Sequence, residues 1–167
     1  MAQLTKNGIK ILKILHYVAV ACWIGTALVL LLFNIRAEIA VSEGMLLGIN
    51  AAGRMADLWI LIPGAVGCLV TGLLFALFTP WGFFKHRWLT CKWVLTITCI
   101  LTGTFFLGVW EKEMLLISRD LGNAALTDGS YLAVRTKHFL LSCVQIIALL
   151  AMVAISVFRP WRAKINS

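Results

Sequence analysis

Four runs in this chain are almost free of charge and each is at least about twenty residues long, which is what a helix needs to cross the hydrocarbon core of a bilayer. They are Ile14 to Ile35, Leu58 to Phe84, Trp88 to Trp110 and Phe139 to Phe158. Their only basic side chains are His16, near the start of the first, and Lys92, near the start of the third. None of the runs alternates in polarity as a strand would. In lipid every backbone polar group must be paired within the protein, so helices are expected. The sequence predicts an all-α fold: an integral membrane four-helix bundle with antiparallel up-down topology. It forms a single transmembrane domain over residues 1–167, with spans near 14–35, 58–80, 88–110 and 138–158. A composition that is 61% hydrophobic, with mean hydropathy +0.93, excludes an ordinary water-soluble domain.

Charge sets the orientation. If the N-terminus is cytoplasmic, that side receives Lys6, Lys10, Lys13, Lys85, Arg87, Lys92, Arg159, Arg162 and Lys164, and no acid. The opposite side receives all 7 acids, from Glu38 to Asp128, along with the remaining basic residues. Short loops rich in Lys and Arg stay inside, so both chain ends are placed in the cytoplasm. The net charge of +8 then reflects topology and contact with anionic headgroups, and no nucleic-acid partner is expected. The expected location is the bacterial inner membrane. Trp81, Trp88, Trp93 and Trp161 fall near the inner boundary, and Trp59 and Trp110 near the outer one, as an aromatic belt would. Trp23 lies well inside the first span.

Along the chain, span one is expected to run on past Arg36 towards Gly44. Ser42 to Asp57 reads as an outer connection, with Met45, Leu46, Leu47 and Ile49 giving a short helix on the bundle. Pro63 lies about one turn into span two and should perturb its hydrogen bonding; Pro80 ends that span, and Lys85-His86-Arg87 forms a short inner turn. Span three extends outward through Glu111 to Ser118. Arg119 to Arg135, rich in Gly, Asn and Asp, reads as a loop, and Arg159-Pro160-Trp161 stops span four. Short connections place sequential helices side by side. Gly64, Gly67, Gly72, Gly103 and Gly108 allow close helix approach. The five cysteines form no Cys-x-x-Cys pair, so neither a disulfide framework nor a thiolate metal site is indicated.

An ionisable group inside a span is costly and marks a candidate site. His16 and Trp23 are seven residues apart and share a helix face. A groove with an imidazole at one end and an aromatic wall could hold a planar cofactor, since imidazole is a common haem ligand; an interfacial His bonded to a carbonyl is the plainer alternative. Spans one and three run in the same direction, so Lys92 lies at a similar depth to His16. Lys92, Thr96, Cys99 and Gly103 make a stripe suited to another helix or a cofactor; a lysine snorkelling to the headgroups is the alternative. His138 starts span four at the opposite surface, about 30 Å from His16 along the membrane normal, too far to share one metal with it. His86 reads as a loop residue. Met45, Met55, Met114 and His138 are too scattered to define a copper site.

The run Leu15-His16-Tyr17-Val18-Ala19-Val20-Ala21-Cys22-Trp23-Ile24-Gly25 resembles the first-helix signature of a membrane superfamily: Leu-His, small or apolar residues, then Trp-x-Gly. That superfamily includes CopD-type copper-resistance proteins, HemJ-type protoporphyrinogen oxidases and related integral membrane proteins of unknown function. Pro63 with Thr71-Gly72, and Trp88-Leu89-Thr90-Cys91-Lys92, resemble its following helices. The resemblance covers roughly the first two thirds of the chain. It implies b-type haem held by the residues matching His16 and Lys92. The chain departs from the HemJ pattern at Leu30 to Arg36, where the Pro-Arg is missing, and it lacks a Met-rich copper site. The uncharacterised branch fits best.

The leading expectation is therefore a membrane-embedded protein binding haem b, acting in electron transfer or redox chemistry. His16 would ligate the iron, Lys92 would be a second ligand or a propionate partner, and Trp23 would form a wall. Besides the lipid bilayer, quinone or a redox protein would be the partner, and self-association into a homo-oligomer is left open. No catalytic residue is assigned. The alternatives are a metal or small-solute permease of the CopD type and a non-catalytic subunit of a larger membrane complex.

Overall fold

The structure is a computed structural model and describes residues 5–37, 39, 43–79 and 87–158. Among these the chain is helical and free of strands. The helices are α1 (Lys6–Ala37), α2 (Glu43–Ala56), α3 (Ile62–Phe78), α4 (Arg87–Thr102), α5 (Gly108–Leu121) and α6 (Gly129–Phe158). A π-helical turn, Asp57–Leu61, joins α2 to α3, and another, Gly103–Leu107, joins α4 to α5. The result is four long apolar rods, each able to cross a membrane, forming an all-α membrane four-helix bundle.

The first π turn follows from Pro63. Proline has no N–H, and its ring crowds the carbonyl four residues back. Widening the turn relieves that conflict: the Ile62 N–H reaches back five residues, to Asp57 O. The second π turn has no proline; Gly103 and Gly108 bracket it, and the Gly108 N–H reaches Gly103 O.

These rods are longer than a bilayer is thick. The 35 residues of Gly44–Phe78 span about 52 Å at 1.5 Å per residue, against about 30 Å of hydrocarbon. The end carrying Lys6, Lys10, Lys13 and Arg87 is the inner end in the charge-based orientation, so α2 and α5 project outward. Two cores correspond to the two media. In the membrane part Ala19, Trp23, Ala27, Ala65, Cys68, Cys99, Ile146, Leu149 and Met152 pack together. Lipid tails are as apolar as these side chains, so close packing holds this part. Gly64 shows how close: an added Cβ would meet Trp23 N at 2.9 Å and Ala19 O at 3.1 Å. The outer core contains Ala37, Leu46, Met114, Ala125, Tyr131 and Val134. There the hydrophobic effect contributes, at about 1.5–3 kcal/mol for each fully buried large apolar side chain. Val94, Phe105 and Ile147 are exposed, as lipid-facing residues should be.

Two expectations are corrected. Span one stops at Ala37, short of Gly44. Arg119 to Arg135 is mostly helical: α5 runs to Leu121, a 3-10 turn follows at Gly122–Thr127, and α6 begins at Gly129. Gly122, at φ 55°, breaks α5. Asp128 restarts the chain as an N-cap, its Oδ1 accepting from the N–H groups of Ser130 and Tyr131 at 3.0 Å each. Tyr131, Val134 and His138 then form a buried stripe that the polar composition concealed.

Sequential rods are neighbours, as expected: α1 packs on α3, the second and third rods meet through α2 and α5, and α4 and α5 pack on α6. The first and last rods also touch, through α1 and α6. The second and third rods part towards the inner end, where α3 and α4 scarcely touch. At the outer end α2 packs on α5, closing the bundle. The inner half is left with a cleft between α3 and α4. Two other expectations hold: α5 continues span three past Ser118, and a helix fills the outer connection, though it is continuous with span two. Pro80, Trp81, Lys85, His86 and Arg159-Pro160-Trp161 lie outside the described residues, and Arg87 opens α4.

Candidate functional site

The cleft encloses a cavity of about 340 Å³, lined from all four rods. This lies within the roughly 300–1,000 Å³ typical of small-molecule sites. His16, Trp23 and Lys92 all border it, so the three residues singled out in the sequence share one site. Its walls are largely apolar and aromatic, with Phe75 from α3 and Trp93 from α4 facing in. Trp88 and Trp93 border this cavity, whereas Trp59 is 77% exposed.

Each polar group at the site has a defined setting. His16 Nδ1 lies 2.7 Å from Thr71 Oγ1, and its ring stands edge-on to Phe75, centroids 5.8 Å apart. Lys92 Nζ donates to Ser156 Oγ at 2.7 Å, and Ser156 Oγ donates in turn to the Met152 carbonyl at 2.7 Å. The Lys92 amino group is thus tied to α6 rather than extended to the headgroups. Thr96 donates to Met152 Sδ at 3.3 Å, Cys99 is buried and Gly103 sits close to Gln145, so the stripe beginning at Lys92 faces α6 as expected. Trp23 is 3% exposed, and its Nε1 is buried with no hydrogen-bond partner among the described residues. A buried N–H without an acceptor costs about 1–3 kcal/mol.

Sequence reasoning missed Phe75, Met152 and Ser156 and gave Thr71 only as part of the second-helix resemblance. Thr71 and Phe75 are four residues apart, and so are Met152 and Ser156; both pairs fall on single helix faces. That spacing was the available signal, but a continuous apolar run does not indicate which face points inward.

A second polar cluster occupies the outer end. Arg54 Nη1 donates to Asp57 Oδ2 at 3.0 Å and to Gly108 O at 3.2 Å. Glu111, from α5, is buried near this pair and beside Gly53. Nearby, Asn34, Asn50, Glu111, Met114, Tyr131 and His138 border a cavity of about 20 Å³, enough for one water. His138 and His16 thus occupy separate sites. Met114 reaches this small cavity, whereas Met45 and Met55 are at the surface. Among the described residues no group of three or more His, Cys, Asp or Glu is placed to hold a metal ion. All five cysteines are free thiols.

The geometry defines a class: a four-helix membrane protein with a His- and Lys-bearing apolar cavity in its inner half. Residues 10–160 match the family described as "Predicted integral membrane protein (DUF2269)", and the chain belongs to that family. No curated protein and no solved structure matches it.

Proposed function

We propose that the inner cavity binds a b-type haem and that the protein serves membrane electron transfer or redox chemistry. The observation that carries this reading is the convergence of His16, Trp23 and Lys92 on one apolar cavity of about 340 Å³. The donor set suits the group. An imidazole is available for iron, and aromatic and aliphatic walls suit a porphyrin face. Lys92, tied to Ser156 at the cavity wall, keeps both roles considered for it: protonated it would pair with a propionate, and neutral it would be a second ligand. Lys13, on the same lining, adds a cation. Haem, when bound, would supply one-electron redox chemistry. The chain would position it, exclude water around it and set its electrostatics. The resemblance of the first helix to CopD- and HemJ-type proteins points the same way. The bacterial inner membrane is the proposed location, with quinone or a redox protein as partner.

The test is an optical spectrum of detergent-purified protein from haem-supplied cells, oxidised and then reduced with dithionite. A Soret band with reducible α and β bands, abolished or shifted by His16→Ala, is expected. A colourless protein at full haem supply overturns the reading and transfers the weight to a transport or accessory-subunit role.

A further inference from the structure

We infer that Thr71 is the positioning residue for His16, holding its imidazole in the tautomer with hydrogen on Nδ1 and leaving the Nε2 lone pair for the cavity. The inference deepens the haem reading, since it says how the proposed ligand is oriented, but its first test needs no haem.

The argument is a count of hydrogens. Thr71 Oγ1 has one. It lies 2.6 Å from Gly67 O, 3.3 Å from Cys68 O and 2.7 Å from His16 Nδ1. A hydroxyl and a carbonyl oxygen at 2.6 Å are at the short end of O–H···O hydrogen bonds, and without a hydrogen between them two oxygen lone pairs would face each other. The Thr71 hydrogen therefore points along its own helix to Gly67. Only lone pairs of Thr71 remain towards His16. The 2.7 Å contact must then be filled by a hydrogen on Nδ1, and a neutral imidazole with hydrogen on Nδ1 carries its lone pair on Nε2.

The ring's direction follows from the same elements. His16 borders the cavity while Thr71 does not, so the Nδ1 edge is turned to α3 and the opposite edge is the one presented. Phe75, one turn beyond Thr71, meets the ring edge-on and fixes its plane. Close packing of α1 on α3 makes this possible. A Cβ on Gly67 would meet Ala19 Cβ at 3.1 Å, and Ala19 is one turn along α1 from His16. A ligating histidine generally donates its other N–H to a fixed acceptor, which selects tautomer and orientation and raises ligand basicity. Here that acceptor is a threonine hydroxyl whose own hydrogen is already committed. A ligand meeting His16 must therefore bring a Lewis-acidic metal centre or a hydrogen-bond donor.

The experiment is ¹⁵N NMR of the histidine rings in ligand-free protein, with His16 assigned by comparison with His16→Ala, at a pH where its ring is neutral. Wild type should show the Nδ1–H tautomer at His16. Thr71→Val, which keeps the side-chain shape but removes the acceptor, should shift the ring towards Nε2–H or a mixture, and Thr71→Ser should restore the wild-type pattern. An Nε2–H tautomer in the wild type, or a Thr71→Val pattern identical to wild type, overturns the proposal. Should Thr71→Val fail to fold, the wild-type tautomer alone decides. With haem added, Thr71→Val should weaken binding by about 10–100-fold and Thr71→Ser by much less. A fixed Nδ1–H tautomer in a protein that takes up no haem would keep the Thr71 assignment and remove the haem reading.

Discussion

Asn34 and Arg135 hydrogen-bond to each other in both directions across α1 and α6: Asn34 Nδ2 donates to Arg135 O at 3.3 Å, and Arg135 Nε donates to Asn34 O at 3.2 Å. Asn34 Nδ2 also lies 3.2 Å from His138 Nδ1, so one side-chain amide joins two groups at the buried outer end. Asn34→Leu removes the amide and leaves His138 Nδ1 and the Arg135 carbonyl without that donor. The expected loss is about 1–3 kcal/mol, the cost of stranding buried polar groups. Denaturant unfolding in detergent checks it; a midpoint unchanged from wild type would show that water takes over these bonds.

The α1–α3 contact should be intolerant of bulk at one glycine and indifferent at another. A Cβ at Gly64 meets backbone atoms of α1 at 2.9 and 3.1 Å, and backbone cannot rotate aside; a Cβ at Gly25 meets nothing within 4 Å. Gly64→Ala is expected to destabilise by about 1–3 kcal/mol, the usual cost of overpacking. Gly25→Ala should be neutral or slightly stabilising, because alanine favours a helix. Equal unfolding midpoints for the two variants would contradict the crossing geometry.

Asp128 gives a pH dependence with a definite sign. The Ser130 hydroxyl first, and then the backbone N–H of Tyr131, hold its carboxyl below the usual aspartate value of 3.8. A group whose folded pKa is depressed adds stability above its unfolded pKa and loses it as pH falls through the folded value. Asp128→Ala should therefore lower the Tm at neutral pH, and the difference from wild type should shrink below about pH 4. Asp128→Asn, which keeps an acceptor for the same N–H groups, should lose less at neutral pH. A gap between wild type and Asp128→Ala that persists undiminished well into acid would refute the capping role.

Orientation is open to labelling. The 3-10 turn before α6 is outside in the charge-based topology, and the start of α1 is inside. A cysteine introduced by Thr127→Cys should react with a membrane-impermeant maleimide on intact spheroplasts. One introduced by Lys10→Cys should react only after permeabilisation. The unmodified chain is the control for its own five thiols. The reverse pattern would invert the bundle and move the inner cavity to the outer leaflet.

Much of the site was legible in the sequence because ionisable residues are rare in the spans. His16 and Lys92 stand out against uncharged surroundings, and Trp23 follows His16 at a two-turn interval. Helix rise and direction then gave their common depth. The roles of Thr71 and Ser156 were not legible. In an apolar run, a hydroxyl that bonds its own helix and one that also meets a neighbouring helix look the same. The polar stretch before His138 misled for a related reason: the part of the α6 buried stripe that falls in it is only Tyr131 and Val134, and composition outweighs periodicity over so short a segment.

By itself the sequence determined the medium, the number of spans and, through its basic residues, the expected orientation. These depend on local quantities: apolar length matched to bilayer thickness, and charge counted loop by loop. The tertiary structure decided which rods touch. Lipid gives no hydrophobic reason for one helix to prefer another, so partners are chosen by shape, and small residues such as Gly64 and Gly67 let α1 settle on α3. That choice parts α3 from α4, opens the inner cavity and brings Thr71 against His16, a contact between residues 55 positions apart that no local pattern encodes.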